Sequence, residues 1–309
     1  VQLIHRAADL HSGGRKVSVG IGMFDGVHLG HQQVLKQALA DARQHNGISL
    51  AVTFDRHPAT ILNPPKAPRL IYSLPQKLRE IEALGLDAIL LIPFTSEFSR
   101  IPGEHFIRDL ASSLRQLYSI SVGNSFSFGH QRSGNVDLLK SLGQSLHFQV
   151  RPIAAVSLAG HVVSSTRIRE CITAGDLHAA SQMLGRSYSI SGKVSHGDNL
   201  GAKIGTPTAN IDISGLVTPP NGVYAAQARL AGQSSFHPAV ANLGYRPTIA
   251  NPTPALRLEV HLLDFQGDLY EQDLEVAFAD FIRPEQKFAS LDDLRAQIER
   301  DKDSARRFL

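Results

Sequence analysis

The feature that most constrains this chain is a change of rhythm near residue 186. Before it, short apolar runs alternate with helical stretches; after it, β-rich runs follow one another with only turns between them. Residues 17–23 (VSVGIGM), 49–54 (SLAVTF), 88–92 (AILLI), 118–122 and 148–156 read as strands. A helical pattern starts at His31, with Val34, Leu35, Ala38 and Leu39 on one stripe, and recurs over 74–84 and 103–114. Such alternation predicts a parallel sheet with right-handed crossovers, whose ligands sit at the carboxyl ends of the strands. The later runs, 188–196, 222–230, 236–243, 256–265 and 274–281, are separated by turns such as TPPNG and DFQGD. They predict a small antiparallel barrel, closed by an amphipathic helix over 291–306. The expected domains are residues 1–185 and 186–309, with the boundary near 184–187.

A length of 309 residues suits two domains, and 42% hydrophobic with 19% charged residues is enough apolar mass for two cores. The formal net charge of +3 is spread along the chain with no Lys/Arg-rich run, which argues against nucleic acid and suits anionic small molecules. A single cysteine, Cys171, excludes an intrachain disulfide and a thiolate zinc cluster, and reads as a small helical residue rather than a nucleophile. The first residues, VQLIHRAADL, lack a signal peptide's apolar core, and no stretch approaches a membrane span. The expected location is the cytoplasm, with no membrane partner; the sequence carries no signal for oligomeric state.

Residues 22–31 (GMFDGVHLGH) lie where the first strand turns into the first helix. His28 and His31 flank Gly30, so the backbone can approach a ligand closely, and a helix start offers unpaired N–H groups to an anion. Two imidazoles there can stabilise charge building up on a nucleotide's α-phosphate. The bland alternatives are a pair of turn-capping histidines or half of a metal site, the latter lacking a third ligand at helical spacing. The glycine placement favours phosphate. Further on, SSTRIR (164–169) puts hydroxyls at a helix start, as an ordinary N-cap would, but also Arg167 and Arg169 in the first turn. The helix dipole disfavours cations there, and an anionic ligand explains them.

Residues 196–211 (HGDNLGAKIGTPTANI) are glycine-rich and stiffen at Pro207. Threonine and asparagine oxygens suit Mg²⁺ beside phosphates, although on composition alone a glycine-rich hairpin loop comes first. Glu259, in RLEVHLLDF, is compatible with either a solvent-facing or a site-facing position.

With these residues the chain resembles a known family along nearly its whole length. FDGVHLGH resembles the HxGH signature of the nucleotidylyltransferase superfamily. Together with TFDRHP (53–58), VGNSFSFG (122–129) and SSTRIR, it is similar to the prokaryotic bifunctional riboflavin kinase/FAD synthetase (FMN adenylyltransferase) family. PTAN, NLGYRPT (242–248), RLEVHLLDF, LYEQDLEV (269–276) and residues 283–301 continue the match. The resemblance implies a Rossmann-like α/β nucleotidylyltransferase domain followed by a β-barrel riboflavin-kinase domain with a C-terminal helix. It implies ATP contacts at Gly22, Phe24, Asp25, Gly30, Ser165 and Thr166, with His28, His31 and Arg169 stabilising adenylyl transfer. It implies flavin contacts at His57, Pro58 and Ser125. For the kinase it implies nucleotide contacts at Gly197, Gly201 and Lys203, Mg²⁺ on Thr208 and Asn210, Glu259 as base and Arg283 near the flavin.

The reactions so implied are phosphorylation of riboflavin by ATP to FMN, then transfer of AMP from a second ATP to FMN, giving FAD and pyrophosphate. Departures from the family pattern are Met23, Ser125, Val162, Ala202 and Thr206. Met23 and Ser125 keep one alternative open: a monofunctional riboflavin kinase whose first domain binds nucleotide or flavin without catalysis. A flavin-responsive regulatory protein would need both sites degraded, against an intact PTAN, Glu259 and HLGH. A class I aminoacyl-tRNA synthetase shares an HxGH-type motif, but this chain lacks an anticodon-binding region and a basic RNA surface.

Overall fold

The computed structural model describes residues 1–195, 206–230, 232–233, 235–248 and 251–308. They form two compact units: Val1–Leu70 with Leu74–Arg167, and Ile71–Ser73 with Ile168–Leu309. Among the described residues, no helix is long and apolar enough to cross a membrane.

The first unit is built on six parallel strands: β1 (Gln2–Ile4), β2 (Val17–Ile21), β3 (Ile48–Phe54), β4 (Ala88–Ile92), β5 (Leu117–Gly123) and β6 (Gln149–Ile153). Its helices are α1 (Leu29–Gln44), α2 (Ala59–Leu62), α3 (Leu74–Glu82), α4 (Gly103–Leu114) and α5 (Val136–Leu146). Every residue of β2 is buried, as expected of a strand covered on both faces. The two faces are visible in the strand alternation. Leu50, Val52 and Leu90 pack with α4 and α5 through Ile107, Leu110 and Leu139, whereas Ala51 and Ile89 pack with α1 and α3 through Leu35 and Ile81.

The strand order is β1-β4-β3-β2-β5-β6. From β2 the chain adds β3 and β4 on one side, then crosses over to β5 and β6 on the other. The order therefore reverses between β2 and β5, and a crevice opens beyond the carboxyl ends of those strands, where such sheets hold ligands. Helix α5 and strand β1 were not foreseen. The strand expected over 148–156 ends at Ile153 and is followed by a two-residue hairpin, β7 (Ser157–Leu158) and β8 (His161–Val162).

Helix α6 (Ser165–Ala174) and helix α7 (Leu177–Leu184) precede the barrel strands β9 (Ser189–Ser195), β10 (Ala209–Ile211), β11 (Gly222–Leu230), β12 (His237–Thr248), β13 (Asn251–Leu262) and β14 (Asp273–Arg283). All pairings are antiparallel and the barrel closes in the order β10-β13-β12-β11-β14-β9, with β9 joined back to β10. Its interior is narrow. Ala226, Ala228, Ala239 and Ala241 are fully buried beside Leu243, Leu258, Val260 and Val276, small side chains alternating with large ones in the manner of closed small barrels. The last helix, α8 (Leu291–Phe308), lies on the outside, where Ala305 packs with Ala225 and Leu263. Strands β12 and β13 extend past the expected limits at 243 and 256, pairing through Tyr245 and Leu256 to Thr248 and Asn251.

Candidate active sites

The loop after β2 is held in an unusual conformation. Phe24 has φ 51° and Val27 φ 40°, a region that side chains avoid and that a β-branched valine enters only where its surroundings enforce it. The enforcement is visible. The Phe24 ring is turned into the core, 1% exposed, and lies so close to Gly22 that a Cβ there would be 2.7 Å from it. Two side chains from other strands and helices secure the carbonyl of Met23. Thr53 Oγ1 donates to it at 3.1 Å, and Lys77 Nζ reaches it at 3.4 Å while donating to the Phe54 carbonyl at 2.6 Å. Lys77 is 5% exposed. Burial pushes its pKa down to about 8, with Asp25 and Asp55 opposing the fall. Sequence reasoning missed Lys77, because a lysine on an amphipathic helix reads as solvent-facing.

His28 caps helix α1: its Nδ1 accepts the backbone N–H of His31 at 3.3 Å. A neutral imidazole accepting at Nδ1 carries its proton on Nε2, leaving that nitrogen a donor. The two imidazoles stack with centroids 3.5 Å apart, and the edge of His31 meets Phe24. A Cβ on Gly30 would sit 3.2 Å from the His28 ring, so glycine permits the cap. Asp25 is buried, 4% exposed.

The start of α6 reaches this loop. Ser165 Oγ donates to the Asp25 carbonyl at 3.0 Å, and Ser164 Oγ caps the helix by accepting from the Arg167 N–H at 3.3 Å. Arg167 is engaged by the β8 backbone, with Nη1 3.4 Å from the His161 carbonyl. Thr166 is exposed. Arg169 follows Ser165 by one helical turn and so projects from the same side of α6. His57 and Pro58 lie beyond the carboxyl end of β3, with His57 Nδ1 accepting the Ala59 N–H at 3.1 Å. Ser125 lies beyond the end of β5, on the rim of a cleft of about 410 Å³ that Asn124, Phe126, Asn135 and Lys140 also line. Because β3, β2 and β5 are neighbours, the loops with His57, His28 and Ser125 emerge side by side.

In the barrel, Asn210 on β10 is the direct cross-strand partner of Glu259 on β13. The flanking pairs, Ala209 with Val260 and Ile211 with Leu258, fill the interior; by alternation, Asn210 and Glu259 share the outer face. Asn210 is 7% exposed, and its Oδ1 has no hydrogen-bond partner among the described residues. A buried oxygen left open in this way fits a hard cation better than it fits a folded core. Thr208 is half-buried on the rim of a second cavity, of about 100 Å³, which Pro207, Leu262 and Tyr270 also line.

His261, another residue missed from sequence, lies 2.8 Å through Nδ1 from the Pro207 carbonyl and so secures the PTAN segment to β13. Burial lowers its pKa and so favours the neutral ring; the carbonyl can only accept, so Nδ1 carries the proton of that contact. Arg283 is held by Asp301 of α8, with Nε 2.9 Å from Oδ1 and Nη2 2.8 Å from Oδ2, and Nη1 donates to the Pro284 carbonyl at 3.0 Å. Its guanidinium plane can offer a face to a ring while its edges are engaged. Gly197, Gly201 and Lys203 lie outside the described residues.

Comparison with known proteins agrees with this two-part arrangement. The FAD synthetase family matches residues 11–167 and the riboflavin kinase family residues 184–309. Proteins named bifunctional riboflavin kinase/FMN adenylyltransferase are similar over nearly their full length. That of Escherichia coli (strain K12) is 38% identical, covering 93% of this chain and 91% of its own. That of Haemophilus influenzae is 38% identical over 97% of both, and that of Pseudomonas fluorescens 36% identical over 99% of this chain and 97% of its own. A solved structure, titled as a macrolide-efflux protein from Streptococcus pneumoniae, superposes with a TM-score of 0.81 at 28% identity over 98% of each chain. With both domains matched in order, the bifunctional reading stands over the monofunctional one. The chain belongs to the bifunctional riboflavin kinase/FMN adenylyltransferase family.

Proposed function

We propose that this chain makes FAD from riboflavin in two ATP-consuming steps, one in each domain. In the barrel, Glu259 takes the proton from the terminal ribityl hydroxyl as that oxygen bonds to the γ-phosphorus of ATP and the bond to ADP breaks. Thr208 and Asn210 would hold Mg²⁺, which when bound neutralises phosphate charge. The observation that carries this reading is the pairing of Asn210 with Glu259. It sets an open, buried amide oxygen next to a carboxylate, from segments 49 residues apart in the chain.

In the first domain an FMN phosphate oxygen attacks the α-phosphorus of a second ATP, and pyrophosphate leaves. That nucleophile is already ionised, so no base is needed. His28, His31, the open N–H groups of α1 and Arg169 would stabilise the charge on the transferring phosphate. The His57 and Ser125 loops would hold the flavin. The substrates are therefore riboflavin, FMN and ATP, and nothing in this chemistry calls for nucleic acid or a membrane; we place it in the cytoplasm.

Incubation of the protein with riboflavin, ATP and Mg²⁺, followed by separation of flavins, tests the whole reading. Both FMN and FAD are expected. FMN alone would leave only the kinase half standing, and neither product would sink both.

A further inference from the structure

The barrel register sets five residues in a single row: Asn210 on β10, Glu259 on β13, Asn242 on β12, Val223 on β11 and Arg283 on β14, each the direct Cα partner of the next. Three of them already have a place in the kinase reading. Val223 is apolar and 4% exposed. Asn242 is the one polar member without a role.

No side-chain hydrogen bond or ion pair among the described residues accounts for it. Its chain neighbours Ala241 and Leu243 point into the barrel with no exposure, so Asn242 lies on the outer face with Glu259, where it is partly exposed. Its amide takes part in no side-chain hydrogen bond among the described residues. Asparagine is also disfavoured in strands. A strand position filled against propensity, beside a carboxylate and without a protein partner, suits a ligand.

The row fixes which part of a ligand Asn242 would meet. Neighbouring strands are about 4.8 Å apart, and directly paired side chains start about 5 Å apart at Cβ. With the phosphates on the Asn210 side and the reacting hydroxyl over Glu259, the rest of riboflavin must extend the other way, over β12 and β11 toward Arg283. The first group on that path is the hydroxyl next to the terminal one. An amide can donate to and accept from a hydroxyl at once.

We propose that Asn242 binds the penultimate ribityl hydroxyl and thereby fixes which hydroxyl faces Glu259. The inference rests on the reading of Glu259 as the base.

The test uses the full chain with Asn242→Ala and Asn242→Ser, following FMN formation from riboflavin and from a riboflavin analogue lacking the penultimate hydroxyl. In Asn242→Ala, kcat/KM for riboflavin falls about tenfold, the scale of one hydrogen bond, while KM for ATP is unchanged. The analogue, about tenfold poorer than riboflavin with the unaltered enzyme, loses nothing more in the variant, because the two changes remove the same contact. Asn242→Ser, which keeps a hydroxyl, recovers part of the loss.

An unchanged kcat/KM for riboflavin, or losses from variant and analogue that simply add, overturns the proposal. Conversion of FMN to FAD reports on the other domain, and the thermal midpoint on folding. If Asn242→Ala lowers that midpoint, the same comparison made with Asn242→Ser decides. Glu259→Gln in the same assay separates the two readings. A near-normal rate there removes Glu259 as base whatever Asn242 does, whereas a silent Glu259→Gln beside an unaffected Asn242→Ala removes only Asn242.

Discussion

Ser165, the first residue of α6, donates its hydroxyl proton to the backbone carbonyl of Asp25, 140 positions earlier in the chain, at 3.0 Å. The bond ties the start of SSTRIR to the loop that carries His28 and His31. Ser165→Ala removes that bond. FAD synthesis from FMN is expected to fall about tenfold, the scale of one hydrogen bond in a positioning role, with riboflavin phosphorylation unaffected. Parallel assays on the two substrates read this directly.

In the adenylyl transfer proposed above, His28→Ala and His31→Ala would each remove a donor to the transferring phosphate. Each is expected to cut FAD synthesis by about a hundredfold, the scale for losing a preorganised charge-stabilising group. His28→Ala also uncaps α1 by losing the bond from the His31 N–H, so its thermal midpoint falls while that of His31→Ala holds. Equal midpoints in both variants would mean that the cap contributes nothing.

Thr208→Ala and Asn210→Ala would each take one oxygen from the proposed Mg²⁺ site. Both raise the Mg²⁺ and ATP concentrations needed for half-maximal FMN formation. Asn210→Ala at the same time removes a buried oxygen that has no partner among the described residues, so it should not lower stability in metal-free buffer. Mg²⁺ dependence that is the same in both variants as in the unaltered protein would reduce PTAN to a structural turn.

Lys77 makes stability depend on pH with a definite sign. The folded chain releases this proton near pH 8, and the unfolded chain keeps it until about 10.5. Between those values the unfolded state binds more protons, so the lysine's contribution to stability rises with pH and is lost as pH falls through 8. Relative to Lys77→Met, the unaltered protein should gain up to about 3 kcal/mol across that window. Denaturant unfolding at several pH values checks it, and parallel curves for the two proteins would contradict it.

The parts of the molecule legible in sequence are those whose signal is local. The turn after β2 announces itself through Gly22, Gly26 and Gly30 around two histidines, and the barrel through turn residues between alternating runs. Helix α5 was legible and overlooked: Asn135 caps it, accepting from the Leu138 N–H at 2.9 Å, but Gly143 interrupts the apolar stripe. That glycine is required because a Cβ would lie 2.7 Å from the Phe148 carbonyl. Lys77 and His261 were hidden for a different reason. Each acts on a carbonyl contributed by a distant segment, and no periodicity within a helix or strand encodes which carbonyl will be there. The row through Asn242 is the same case, since register between strands is fixed by the closed barrel as a whole.

Closure of the barrel, together with the make-up of the outermost strands of the parallel sheet, bears on how this chain meets other chains. A strand at a sheet edge is a template on which a foreign strand can add. The closed ring of the barrel has no terminal strand among the described residues, since β9 returns to β10. The parallel sheet has two, and both are blunt. Strand β1 spans three residues, and β6 carries Pro152, which removes a donor from its ladder. Neither outermost strand of the parallel sheet therefore offers a long, regular ladder to a second copy.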